Sequence, residues 1–253
     1  MAALLLAIIY LAFISLGLPD SLLGSAWPVM HEDLNAPLSA MGIVTMIISA
    51  GTIVSSLASD FLTRKFGTGV VTAVSVLMTA AAMLGFSFAS SFWMLLLIAV
   101  PYGLGAGGVD AALNNYVALH YKSRHMSWLH CFWGLGALVS PFIMGACLTG
   151  AAGWEGGYRI IPYVQIGLTV LLFLSLPLWK KPQKAEVRTK PITPPQTFRI
   201  QGVVFLLISF FAYCALEATS MYWACSYFAG YPGASPDLAA LLGPPFALGL
   251  MPG

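Results

Sequence analysis

The sequence predicts an all-α, polytopic membrane protein. Three observations predict it. Seven apolar runs recur, each near the roughly 20 residues that a helix needs to cross the hydrocarbon core. Only 8% of the 253 residues are charged, against 59% hydrophobic. The basic residues fall almost entirely into alternate connections between the runs. Soluble domains carry roughly 25% charged residues, so this chain could not clothe a water-facing surface, and lipid is its main solvent. A membrane β-barrel would show short alternating segments instead, and none stands out here. A net charge of +2 suggests no nucleic-acid partner.

The first span reads 2–30. No basic residue precedes its apolar stretch and no small-residue cleavage pattern follows, so it is read as a retained helix rather than a signal peptide. The second span, 38–58, follows an acidic connection with Glu32 and Asp33 and ends before Arg64 and Lys65. Spans three and four read 69–88 and 93–119. In the fourth, Gly103, Gly105, Gly107 and Gly108 permit close helix approach; no GK[ST] follows them, so they form no phosphate loop. The fifth, 127–149, has Gly134, Gly136 and Ser140 in the same role. The sixth reads 158–178 and the seventh 201–228. These spans divide the chain into a six-helix bundle over 1–178, a linker over 179–200 and the start of a second bundle over 201–253. The linker is basic and proline-rich, which disfavours a membrane helix. The stretch 230–253 is dense in Gly and Pro, and an eighth crossing through Pro244, Pro245 and Pro252 would be a poor helix.

Ten of the eleven Lys and Arg residues lie between spans two and three, four and five, or six and seven; Arg159 alone lies at an alternate connection. Basic connections stay cytoplasmic. This places the N-terminus inside and predicts a multi-pass protein of the cell membrane. The four cysteines all lie in apolar runs without CxxC spacing and read as buried small hydrophobes.

Three carboxylates fall inside the spans: Asp20, Asp110 and Glu217. A charge at the bilayer centre costs at least about 2.5–3.5 kcal/mol, and removal from water disfavours the charged form. A carboxyl group so placed can load and release a proton, or contact a solute. The competing reading is a protonated acid hydrogen-bonded within the bundle. The three acids lie 16 to 18 residues into their spans, an offset that a repeat-built transporter would show. Asn114 stands one turn after Asp110 on the same face, with Val117 continuing the stripe. Its amide wants a partner that a solute hydroxyl or Asp110 supplies, with bonding between neighbouring helices the alternative. His130 shares a face with Gly134 and has Trp133 beside it; it reads either as a relay group or as packing. Trp27, Trp133, Trp223 and Tyr222 suit stacking on a solute ring or an interfacial aromatic belt. His120, His125 and His130 are five apart, the wrong spacing for one helical face, so no metal and no cofactor is expected. No arrangement supports hydrolysis, and no enzyme is expected.

At these residues the sequence resembles the major facilitator superfamily, and more narrowly the branch related to fucose:proton symporters. The resemblance is carried by GLPDSLLGSAWPVM (17–30), GVDAALNNYVALHY (108–121), WLHCFWGLGALVSP (128–141), GGYRIIPY (156–163) and YCALEATSMYW (213–223). It implies a six-helix bundle of two inverted three-helix repeats, alternating access, and symport of a sugar or similar polar solute with a proton. Acids in the first and fourth helices of that branch handle substrate and proton, and by position they resemble Asp20 and Asp110. The fourth-helix acid is Glu in that branch, so Asp110 departs from the pattern by one methylene. The superfamily's helix 2–3 signature is partial in SLASDFLTRKFGTG (56–69): Asp60, Arg64, Lys65 and Gly67 remain, whereas Ser56 replaces the leading Gly and Phe61 a basic residue. Full-length members have twelve helices in two halves, so the resemblance implies a chain lacking its C-terminal half. The alternatives are efflux of amphipathic compounds and an inactive, truncated remnant.

Overall fold

In the computed structural model of the chain, residues 2–180, 194–230, 232, 233 and 239 are described. Most of the expected linker and the expected poor eighth crossing lie outside them. The elements are α1 (Ala2–Asp20), α2 (Leu22–Asp33), a 3-10 turn at Leu38–Ala40, α3 (Met41–Phe66), α4 (Thr68–Phe86), α5 (Phe92–His120), α6 (Arg124–Thr149), α7 (Gly153–Leu174), a 3-10 turn at Leu176–Leu178, the short α8 (Pro194–Thr197) and α9 (Val203–Ala229). Among the described residues, seven helical segments are long and apolar enough to cross a membrane, with α1 and α2 counting as one.

Three boundaries differ from expectation, each for a physical reason. The first span is two helices, because Pro19 has no N–H for the ladder and the chain turns at Ser21. The second span runs on through Arg64 and Lys65 to Phe66, since basic residues suit a helix C-terminus. There Arg64 and Asp60 form an exposed ion pair, and Gly67 at φ +87° makes the turn into α4. The sixth span begins at Gly153, with Glu155 in its first turn. Arg159 therefore lies inside a helix rather than in a connection, exposed and over the Phe88 ring at 5.6 Å.

The strongest packing seams pair α3 with α5, α4 with α5, α1 with α6 and α4 with α7. Exchanging spans one to three with four to six carries the α1–α6 seam onto α5–α3 and the α4–α7 seam onto itself. Two three-helix units related by a pseudo-two-fold produce these matched seams, while the α4–α5 seam has only a weak counterpart in α1–α7.

Small residues let the seams close. A Cβ on Gly103 or Gly107 would strike the carbonyls of Ile48 and Thr52 on α3. Hydroxyls then stitch the seam, with Ser55 donating to the Leu104 carbonyl at 2.5 Å and Thr52 to that of Gly103 at 3.3 Å. Along the α1–α6 seam, a Cβ on Gly17 would strike the Trp133 carbonyl and one on Gly136 the Ile14 carbonyl. Two buried apolar clusters form, one around Trp27, Phe86, Trp154 and Tyr158 and one around Phe13, Val109, Tyr116 and Trp179. Along α1 the change from one cluster to the other falls between Leu16 and Leu18, just before Asp20. The outer face carries large apolar side chains such as Met46, Leu57, Leu97 and Phe211, as lipid solvation requires.

Candidate functional site

The break between α1 and α2 builds the site. Pro19 leaves the Ser15 carbonyl, four residues earlier, without its ladder donor. Gln165 of α7 supplies one: its Nε2 donates to the Ser15 oxygen at 2.9 Å. Pro141 in α6 orphans the Ala137 carbonyl in the same way, and Ser21 at the break donates its hydroxyl to that oxygen at 2.7 Å. Two proline defects are thus repaired by side chains of neighbouring helices. Together they hold Asp20, between Pro19 and Ser21, at a set height and rotation. In a membrane interior such orphaned groups must find a protein partner or an ordered water, because bulk water is not at hand.

Asp20 is gripped from two other helices. Trp133 of α6 donates its indole Nε1 to Oδ2 at 2.8 Å, and Tyr102 of α5 donates its hydroxyl to Oδ1 at 3.4 Å. Asp110 is held within its own helix, where Asn114 Nδ2 donates to Oδ1 at 2.9 Å. Asp20 lies within electrostatic reach of both Asp110 and Glu217, and His130 lies within reach of Asp110. The α6 face carrying His130 and Trp133, three residues apart, therefore faces one acid with each group. His130 is exposed, with the edge of Phe13 against it at 6.1 Å between ring centroids. Asn114 Oδ1 is buried without a partner among the described residues. Among those residues the one ion pair is Arg64–Asp60, so no Lys or Arg pairs with the three acids.

The structure brings together Asp20, Asp110, Asn114, Trp133 and His130, with Glu217 approaching from α9. Trp27 does not join them. It is fully buried and donates its indole N–H to the Leu38 carbonyl at 2.7 Å, which makes it the pin between α2 and the turn before α3. Val117, expected on the polar stripe, is likewise fully buried in the cluster around Phe13 and Tyr116. Tyr102 and Tyr158 are site residues that sequence reasoning missed. Tyr102 had a signal, since it precedes Asp110 by eight residues and so shares its face. Tyr158 had none, because only tertiary packing carries α7 to Asp20.

Helices of membrane length around an interior layer of acids, small-residue seams and paired three-helix units define a polytopic membrane protein with a polar interior. The Major Facilitator Superfamily pattern matches residues 9–253, and the chain belongs to that family. It is similar to a hexuronate transporter of Bacillus subtilis, 25% identical over 92% of this chain and 58% of that protein. It is also similar to a 4-hydroxybenzoate transporter of Acinetobacter baylyi, 22% identical over 64% of this chain and 36% of the relative. A class H tetracycline resistance protein of Pasteurella multocida is 25% identical over 66% of this chain and 39% of its own length. The chain thus spans little more than half of the first of these relatives.

Proposed function

We propose that this chain forms part of a secondary active transporter that takes up a sugar or similar polar solute together with a proton. The acid layer carries the reading: Asp110 and Glu217 come from two other spans into electrostatic range of Asp20, with no Lys or Arg paired to the three among the described residues. A charged acid so placed is costly, and a bound proton or a hydroxyl-bearing solute removes the cost. Asn114 Oδ1, buried and unpartnered among the described residues, accepts from a solute hydroxyl, and the Trp133 ring stacks on the solute's apolar face. Proton binding at Asp20 or Asp110 shifts the balance between inward- and outward-open states. Anions such as the hexuronate and 4-hydroxybenzoate named for two relatives fit less well, because they would meet carboxylates with no cation to offset them.

The pathway runs along the face of this bundle that carries α9, opposite a second six-span bundle of the kind the resemblance to fucose:proton symporters implies. Arg64, Lys65, Lys122 and Arg124 mark the cytoplasmic side by the positive-inside rule, in the cell membrane, with the N-terminus inside. Export of amphipathic compounds is the second reading, favoured by the tetracycline resistance protein among the relatives. The polar stripe of α5 counts against it.

The test is uptake of a panel of labelled hexoses and polyols into proteoliposomes containing the full-length polypeptide, driven by an inward proton gradient. The expected result is accumulation that Asp20→Asn and Asp110→Asn each reduce to background. Intact proton-driven uptake in Asp110→Asn would refute the relay, and no accumulation under any gradient would refute the transport reading.

A further inference from the structure

A small cavity of about 10 Å³ lies beside Asp20, lined by Leu23, Met83, Phe86, Tyr102, Tyr158 and Tyr222. Its size is that of about one water molecule. Its chemistry is not that of a packing void. The Tyr158 ring is fixed by Phe86, edge-on at 5.5 Å, and by Trp154, edge-on at 6.2 Å. Tyr158 lines this cavity, and its hydroxyl is buried with no hydrogen-bond partner among the described residues. Asp20 Oδ1 receives only the long 3.4 Å bond from Tyr102, which leaves acceptor capacity on that oxygen. A buried hydroxyl without a partner is costly, and one water with three polar neighbours is the usual remedy.

We infer that this cavity is a single-water site that joins the Asp20 carboxylate to the Tyr158 hydroxyl and is closed by Tyr222 of α9. The water accepts from Tyr158 and donates to Asp20 Oδ1, which makes Tyr158 a positioning residue for the acid. Tyr222 is the residue of the seventh span in this wall. That span meets the bundle mainly through α2, where a Cβ on Gly24 would strike the Met221 carbonyl. Movement of α9 away from α2 therefore withdraws Tyr222 and opens the water site. The titratable groups facing the water are Tyr102 of α5, Tyr158 of α7 and Tyr222 of α9, with Asp110 and Glu217 acting on Asp20 at longer range. The functional meaning rests on the reading of Asp20 as a proton- and solute-handling acid; occupancy of the cavity does not.

Infrared difference spectroscopy on the full-length protein in lipid, with exchange of ordinary water for oxygen-18 water, reads the site directly. The expected result is an isotope-sensitive O–H band of an isolated water, lost in both Tyr158→Phe and Asp20→Asn. The Asp20 carboxyl stretch, assigned by its disappearance in Asp20→Asn, should also shift in Tyr158→Phe. An unchanged band and stretch in Tyr158→Phe would overturn the inference. So would a band that changes when sodium is replaced by choline at constant ionic strength, which would put a cation in the cavity. Tyr158→Phe keeps the ring packing; if it nevertheless fails to fold, Tyr222→Ala, which opens the cavity, must weaken the wild-type band or the inference fails. A band that behaves as expected in protein that moves no solute would sink the transport reading and leave the water site standing.

Discussion

Asp20 and Asp110 carry the same carboxyl group within electrostatic reach of each other, yet the fold holds them by different means. Asp20 takes its donors from α5 and α6, across contacts separated by 82 and 113 residues in the chain. Asp110 takes its donor from Asn114, four residues away on the same helix. A cross-helix acid is part of the packing, and any change in its charge is felt by three helices. A self-helix acid can change its charge while its neighbours stay in place. In a relay, the first suits the group that reports protonation to the fold, and the second suits the group that exchanges protons with solvent or solute.

The contrast can be broken most directly by truncating each acid. Asp20→Ala strands the Trp133 indole and Tyr102 hydroxyl without their acceptor, so uptake should fall to background and unfolding free energy should drop by about 2–4 kcal/mol. Asp110→Ala should abolish uptake equally but cost less than about 1 kcal/mol, because Asn114 can turn to other partners. Denaturation in mixed detergent micelles measures both, and equal losses of stability would erase the distinction. Gln165→Leu touches neither acid but re-orphans the Ser15 carbonyl below Pro19; about 1–3 kcal/mol should be lost, with uptake impaired because Asp20 loses its height. Ser21→Ala should act in the same direction through the Ala137 carbonyl, at about 1 kcal/mol. The smallest effect on stability belongs to Asn114→Ala, within about 0.5 kcal/mol. There the change should appear as a raised KM for the solute with stability intact.

The spans and the acids were legible in the sequence because each rests on a local signal: apolar length for the first, charge within an apolar run for the second. Asp20, Asp110 and Glu217 needed no partner to be noticed. The partners were not legible. Nothing in residues near Trp133 tells that its indole meets Asp20, and nothing near Tyr158 tells that α7 brings it to the cavity beside the same carboxylate. Trp27 shows the converse case. As an aromatic in an apolar span it suits stacking on a solute ring or an interfacial belt, whereas the structure buries it and spends its N–H on the Leu38 carbonyl. The break at Ser21 was half visible, since Pro19 marks a lost ladder bond, but its repair by a glutamine 150 residues downstream is a product of tertiary packing alone.

That repair bears on how the protein is made. The first span enters the bilayer with a backbone oxygen at Ser15 that its own helix cannot occupy, and the group meant for it arrives only when the sixth span is delivered. Until then the oxygen must keep a water molecule or a provisional neighbour in the insertion machinery. Biogenesis should therefore stall with the first span at the lipid boundary when synthesis is arrested before residue 165, and complete once α7 has emerged.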